Sequence, residues 1–262
     1  MEFNEILISK CKTHHIYNGE PLYDFRFKEA LKFHPPGLAA ATDSTGAFHI
    51  NIKGLPAYNQ RFKRSFGFYE SFAAVEDDSG FYHISEKGEA IYSQRYSWVG
   101  NYQEKLSVVR DFSNKYFHID YLGNEIYEEK YNYAGDFKDG IAVVCLPDGK
   151  STHIDKIGKF IHNKFYNQLD VFHKGFARAK DERGWFHINE NGEAIYEKRF
   201  LTLEPFYNGQ AFAEELSGDL LVIGEKGEVL NLIKYNERDY VAEISSELTG
   251  FWKSELINAA IE

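Results

Sequence analysis

Six histidines stand at His15, His49, His83, His118, His153 and His187, each directly before an isoleucine. Imidazole is the side chain whose ordinary titration falls nearest neutrality, so it is a common choice for proton transfer and metal ligation. His118-Ile119-Asp120 and His153-Ile154-Asp155 add a nearby carboxylate, as a metal site would. The spacing argues the other way. One active site needs one base, and here equivalent histidines recur at intervals of 34 or 35 residues. A residue repeated once per unit serves that unit's packing, and imidazole suits the task with a flat ring, one donor and one acceptor. These histidines are expected to be structural, buried and hydrogen-bonded. No catalytic residue, metal or cofactor is assigned.

A second series is cationic: Arg26, Arg61, Arg95, Lys130, Lys164 and Arg199, each followed by an aromatic. A row of cations on one rim can hold an anionic ligand, so these are candidate binding residues. The competing reading is a ladder of ion pairs between repeats, with acids such as Glu29, Glu128, Glu129 and Glu197. Aromatics that break the repeat register are further candidates: Phe66, Tyr69, Trp98, Tyr133, Tyr166 and Tyr207. Loop aromatics anchor proteins or sugars well, although they also fold over a core. Trp98, Tyr133 and Tyr207 are carried forward as binding residues. Phosphate-binding glycine loops, G-x-S-x-G and H-E-x-x-H are absent from the sequence. Asp77-Asp78 and Glu214-Glu215 sit near predicted turns, where charge is ordinarily solvated.

These residues are positioned by a tandem repeat. The isoleucine marker falls at Ile16, Ile50, Ile84, Ile119, Ile154, Ile188 and, after Val222, at Ile223. Six intervals span 207 residues, a mean period of 34.5. A glycine follows each marker (Gly19, Gly54, Gly88, Gly123, Gly158, Gly192, Gly227). Next comes an apolar pair such as Ile91-Tyr92, Ile126-Tyr127 or Phe160-Ile161, and then the cation. Phe33, Phe68, Tyr102, Phe137, Phe172 and Phe206 anchor the following loop. Ala39, Ala73, Ser107, Ala142, Ala177 and Ala211 open a new apolar run.

Within one repeat, Ile141–Val144, Tyr116–Asp120 and Glu125–Tyr127 are short β-forming runs divided by glycine turns, which predicts a β-meander. The segment from Tyr131 to Phe137 is expected to add an irregular edge strand. Both faces of the first two runs are mostly apolar, so each small sheet should be covered on both sides. The fold class is therefore all-β, with seven meander repeats of 34 or 35 residues arranged as a seven-bladed β-propeller. The alternative is an open β-repeat solenoid, which the degraded end copies favour.

Composition is consistent with this. The 262 residues include 22 Phe, 18 Tyr and 3 Trp, enough to build a core. A formal net charge of -10 argues against nucleic-acid binding. No apolar run is long enough to span a membrane as a helix. Cys11 and Cys145 lack ligand spacing and read as free thiols of a cytoplasmic protein.

Together these features resemble the WG-repeat family of bacterial tandem repeats. The residues that carry the resemblance are Gly184-Trp185-Phe186-His187-Ile188-Asn189 with Gly192, Ile195 and Tyr196, and Phe137-Lys138-Asp139-Gly140-Ile141-Ala142. It covers roughly residues 5–232. Histidine replaces the family glycine in six copies and tryptophan survives in one, which marks a divergent branch. The resemblance implies a repeat scaffold, often attached to other domains, with no catalytic residues to carry over.

The repeat domain is placed at 1–239 and a tail at 240–262. Ile244, Leu248, Phe251, Trp252 and Leu256 fall at helical spacing, so the tail reads as an amphipathic helix and a partner interface. Residues 250–262 are similar to the first dimerisation helix of small-molecule O-methyltransferases, which would make the chain an accessory module of a larger enzyme. The expected function is a non-catalytic interaction or scaffold module with a protein partner or attached domain. Alternatives are a carbohydrate- or small-molecule-binding propeller and a hydrolase with channel carboxylates.

Overall fold

The computed structural model describes residues 3–233. The tail at 240–262, with Ile244, Leu248, Phe251, Trp252 and Leu256, lies outside the described residues. Apart from one 3-10 turn at Phe3–Glu5, the described elements are all strands, gathered into seven small antiparallel sheets.

The chain divides into two compact units, 1–144 with 156–158, and 145–155 with 159 onward. In the first unit, β1 (Leu7–Ile8), β2 (His15–Tyr17) and β3 (Glu20–Pro21) form one sheet. The next holds β4 (Glu29–His34), β5 (Leu38–Asp43) and β6 (Gly46–Ile50). Then come β7 (Arg64–Tyr69), β8 (Phe72–Asp77) and β9 (Gly80–Ile84), and after them β10 (Trp98–Val99), β11 (Ser107–Arg110) and β12 (Tyr116–Ile119). β13 (Tyr133–Ala134) follows, and β14 (Ile141–Cys145) runs to the edge of the unit. The second unit holds β15 (Ser151–Asp155) and the sheet of β16 (Gln168–Leu169), β17 (Ala177–Asp181) and β18 (Gly184–Ile188). Its last sheet is β19 (Thr202–Leu203), β20 (Gln210–Glu214), β21 (Leu220–Gly224) and β22 (Val229–Ile233).

The repeat residues explain the register. The small residue that opens one strand faces the marker isoleucine of the next: Ala39 with Ile50, Ala73 with Ile84, Ser107 with Ile119, Ala177 with Ile188. A branched side chain fits opposite a methyl or hydroxymethyl group, and both members are buried in every pair. Phe81 to Ile84 are buried without interruption, so this strand has apolar cover on both faces.

The meander differs from expectation at its third run. Glu125 makes an isolated bridge to Ile119, and the chain then bends instead of continuing as a strand. The cause is local. The amide of Ile126 bonds the carbonyl of His118 at 3.1 Å, and Tyr127 turns inward to reach the ring of His118. In the middle sheets the third strand comes from the loop, as Trp98–Val99 does beside β11, whereas the third run does pair as a strand in the first sheet, as β3, and in the last, as β22. The expected edge strand from Tyr131 to Phe137 is a bridge from Tyr131 to Tyr116 followed by the two-residue β13.

Candidate functional site

The six histidines form a ladder of similar joints. In four of them Nδ1 meets the hydroxyl of the tyrosine nine residues on, as His83 meets Tyr92 and His187 meets Tyr196, both at 2.6 Å. His15 uses Tyr23, eight residues on, at 2.5 Å. Nε2 reaches a backbone carbonyl in the following loop at 2.7–2.9 Å, on Leu31, Phe66, Gly100, Gly135, Asp170 and Glu204. A carbonyl only accepts, so Nε2 carries the proton and Nδ1 accepts from the tyrosine. The loop anchors Phe33, Phe68, Tyr102, Phe137, Phe172 and Phe206 cover the imidazoles at centroid distances of 3.9–4.6 Å.

This environment fixes the protonation state. Burial outweighs the carbonyl bond and lowers His49, His83, His118, His153 and His187 to about 4. The same burial raises the partner tyrosines, Tyr23 to about 12 and Tyr58, Tyr92, Tyr127 and Tyr196 further. Both ring nitrogens are occupied, so these imidazoles present no free lone pair to a substrate or a metal. No group of three or more potential ligands gathers among the described residues.

The tyrosine has a second role. An added Cβ on Gly54, Gly88, Gly123, Gly158 and Gly227 would lie 2.6–2.8 Å from the ring of Tyr23, Tyr58, Tyr92, Tyr127 and Tyr196 respectively. These glycines also have φ between 72° and 81°, so the turn and the ring both require glycine.

The fifth repeat departs from this pattern and corrects the sequence reading. His153 Nδ1 faces Nε2 of His162 at 3.0 Å, where other copies have tyrosine. The equivalent of Ile126-Tyr127 is thus Ile161-His162, not Phe160-Ile161. Tyr166, taken as off-register, is core: it bridges Ser151 as Tyr131 bridges Tyr116, and it is buried. Lys164 consequently does not stand at the cation position, which Phe165 occupies. His162 donates from Nε2, and its buried Nδ1 has no partner.

The cations at that position belong to the fold. Nη1 of Arg26, Arg61, Arg95 and Arg199 donates to the carbonyls of the three preceding residues at 2.9–3.5 Å. Arg61, Arg95 and Arg199 lie 3.5–3.9 Å over the rings of Phe48, Tyr82 and Phe186. Lys130 lies 4.1 Å over Phe117 and pairs with Glu125 at 3.1 Å. The anticipated ion-pair ladder is mostly replaced by turn carbonyls and aromatic faces, which a planar guanidinium satisfies together.

The off-register aromatics separate into two groups. Tyr69 covers His34 at 4.9 Å, and Tyr207 is 56% exposed beside His173. Trp98 and Tyr133 instead line a cavity of about 330 Å³ with Val108, Arg110, Tyr116 and Asp136. Tyr116 is the residue that sequence reasoning missed, since it reads as ordinary strand. Its ring lies 6.3 Å from Trp98 and 5.6 Å from Tyr133. Arg110 sits 5.9 Å over Tyr116 and is held by Ser97 Oγ at 3.0 Å. Asp136 accepts from Gln103 Nε2 at 3.0 Å, and burial raises its carboxyl above the usual range. The histidine ladder holds the wall residue Gly135, whose carbonyl accepts from His118 at 2.8 Å, and the neighbouring Gly100, whose carbonyl accepts from His83 at 2.8 Å.

Residues 119–150, a stretch just short of one period that starts at a marker isoleucine, match the family model of the WG containing repeat, which supports a resemblance to the WG-repeat family. The fold is similar to the crystal structure of a eukaryotic initiation factor, at 9% identity over 86% of this chain and 68% of that one, with a TM-score of 0.51. It is similar to BamB from Moraxella catarrhalis, at 10% identity, 83% and 78% coverage and a TM-score of 0.48. It is also similar to the WD40 β-propeller domain of Doa1, at 13% identity, 79% and 86% coverage and a TM-score of 0.34. At such identities these are likenesses of fold. No match to this sequence is found among curated proteins. These findings lend no support to the methyltransferase-like helix at 250–262. Among the described residues, no helix is long and apolar enough to cross a membrane.

Proposed function

We propose that the chain is a non-catalytic, propeller-like β-repeat module that binds a protein partner or carries an attached domain. The observation that carries this reading is the occupation of both nitrogens in all six repeated imidazoles by the fold itself. The residue type best suited to chemistry builds joints here. The carboxylate pairs have similar duties: Asp77 holds the turn at Ser79, and Glu215 pairs with Lys198.

The surface available for a partner is a turn edge of the first unit. Leu122 and Ile157, at the same position of successive repeats, are 72% and 73% exposed, with Ile52 and Leu55 exposed on an earlier turn of that series. Exposed branched side chains at the tips of turns supply apolar anchors for a protein surface. The test is to recover a binder with the full chain, reconstitute the pair, and measure affinity by calorimetry. Leu122→Asp with Ile157→Asp should weaken it at least tenfold without changing the melting temperature. Equal affinity would place the interface elsewhere, and turnover of a chromogenic glycoside panel would overturn the non-catalytic reading.

A further inference from the structure

The cavity beside Trp98 is walled by residues of β10, β11 and β12 and by the segment Tyr133 to Asp136. In three sheets an aromatic, Phe81, Tyr116 or Trp185, stands three positions before the marker isoleucine, and the residue whose carbonyl receives the ladder histidine differs beside each. In the sheet of β7 to β9 this residue is Phe66, whose ring lies 6.5 Å from Phe81, with Arg64 4.9 Å over the same ring. In the sheet of β16 to β18 it is Asp170, which pairs at 2.5 Å with Arg178, and Arg178 lies 5.3 Å from the Trp185 ring. In the sheet of β10 to β12 it is Gly100, and the aromatic is Tyr116. A Cβ on Gly100 would lie 2.9 Å from Val108, 3.2 Å from Trp98 and 3.3 Å from the Asp136 carboxylate. Gly100 lacks the positive φ of the turn glycines, so what requires glycine there is the close approach of Val108, Trp98 and Asp136, which wall the open space.

We propose that this space is a binding site for a single hexopyranose unit, free or at the end of a short glycan. The inference goes beyond the interaction-module reading and does not depend on a protein partner. Three facts select the ligand. Trp98, Tyr116 and Tyr133 supply aromatic ring surface for the C–H face of a saturated ring, with the Tyr116 ring plane inclined by 54° to that of Trp98 and by 52° to that of Tyr133. Arg110 supplies donors and forms no ion pair among the described residues, while Asp136 supplies acceptors and is likewise unpaired, with Gln103 as its hydrogen-bond donor. A guanidinium and a carboxylate that both face the cavity without neutralising each other disfavour a net cation and a net anion. A neutral ring with hydroxyls around its rim satisfies both, each hydroxyl accepting from Arg110 or donating to Asp136. The volume of about 330 Å³ sits at the small end of ligand pockets, which suits a single sugar ring.

The experiment uses the full chain and four probes: methyl β-glucopyranoside, methyl β-galactopyranoside, N-acetylglucosamine and cellobiose. Saturation-transfer NMR and indole fluorescence are read together, with glycine betaine as a charged control. Saturable binding of at least one sugar is expected, with transfer strongest to ring C–H protons. Trp98→Ala and Asp136→Asn should each weaken it at least tenfold, and both side chains are partly exposed enough to be replaced without unfolding. No sugar binding at tens of millimolar, binding unchanged in Trp98→Ala and Asp136→Asn, or binding of betaine in place of sugar would each overturn the proposal. None of these results would touch the protein-partner reading, which is measured at Leu122 and Ile157.

Discussion

Tyr92 donates its hydroxyl to Nδ1 of His83 at 2.6 Å, and its ring lies against Gly123 of the next repeat. One side chain thereby satisfies a buried acceptor in its own repeat and closes the surface of its neighbour. Tyr92→Phe keeps the ring contact but leaves Nδ1 of His83 buried without a donor. The expected loss is about 1–3 kcal/mol, read as a lower urea midpoint with unchanged slope.

Gly123 and Gly140 separate backbone strain from ring contact. Both have positive φ, 79° and 78°. A Cβ on Gly123 meets the Tyr92 ring at 2.8 Å, whereas one on Gly140 meets nothing within 4 Å. Gly140→Ala should cost about 1 kcal/mol from conformation alone, and Gly123→Ala clearly more. Equal melting temperatures for the two variants would contradict the ring contact.

Acid should unfold the protein through the ladder. Five histidines are lowered to about 4 by burial, against an ordinary value of 6.5. Above pH 6.5 the rings are neutral in both folded and unfolded chains, and their contribution is fully present. As pH falls from 6.5 toward 4, only the unfolded chain takes up protons, so stability declines across that window. Each unit of depression is worth about 1.4 kcal/mol at most. Thermal melts at pH 7, 6, 5 and 4 should show an accelerating fall, and a flat profile would contradict the burial of neutral rings.

His162→Tyr should stabilise the fifth joint. A tyrosine hydroxyl would donate to His153 Nδ1 as in the other copies, and the unpartnered buried Nδ1 of His162 would be removed. The expected gain is about 1 kcal/mol, seen as a higher melting temperature. A gain in acid resistance should accompany it, because burial also lowers His162 from its ordinary value.

The period, the strand openers and the paired isoleucines were legible because each copy solves the same burial problem with the same residues. The fifth repeat misleads because Phe160, Ile161, Lys164 and Phe165 imitate the pattern one residue early. Its true register rests on the hydrogen bond from His162 to His153, which hydropathy does not encode. Trp98 and Tyr133 stood out by breaking the register. Tyr116 did not, because it occupies an ordinary strand position. The arginines were visible as a series, but their carbonyl partners follow from the bend after each tyrosine, which the sequence reads as a strand.

The contact between a tyrosine ring and the following glycine also governs how such a chain can change length. Every seam that joins a tyrosine to a glycine has the same chemistry on both sides, so a whole period added or removed there leaves matching surfaces. Growth and shrinkage at these seams thereby run in steps of 34 or 35 residues. The seam of His162 with Gly192 is the odd one, where a smaller ring meets the glycine. Units exchanged across that point would not be equivalent, which gives an otherwise uniform array one addressable position.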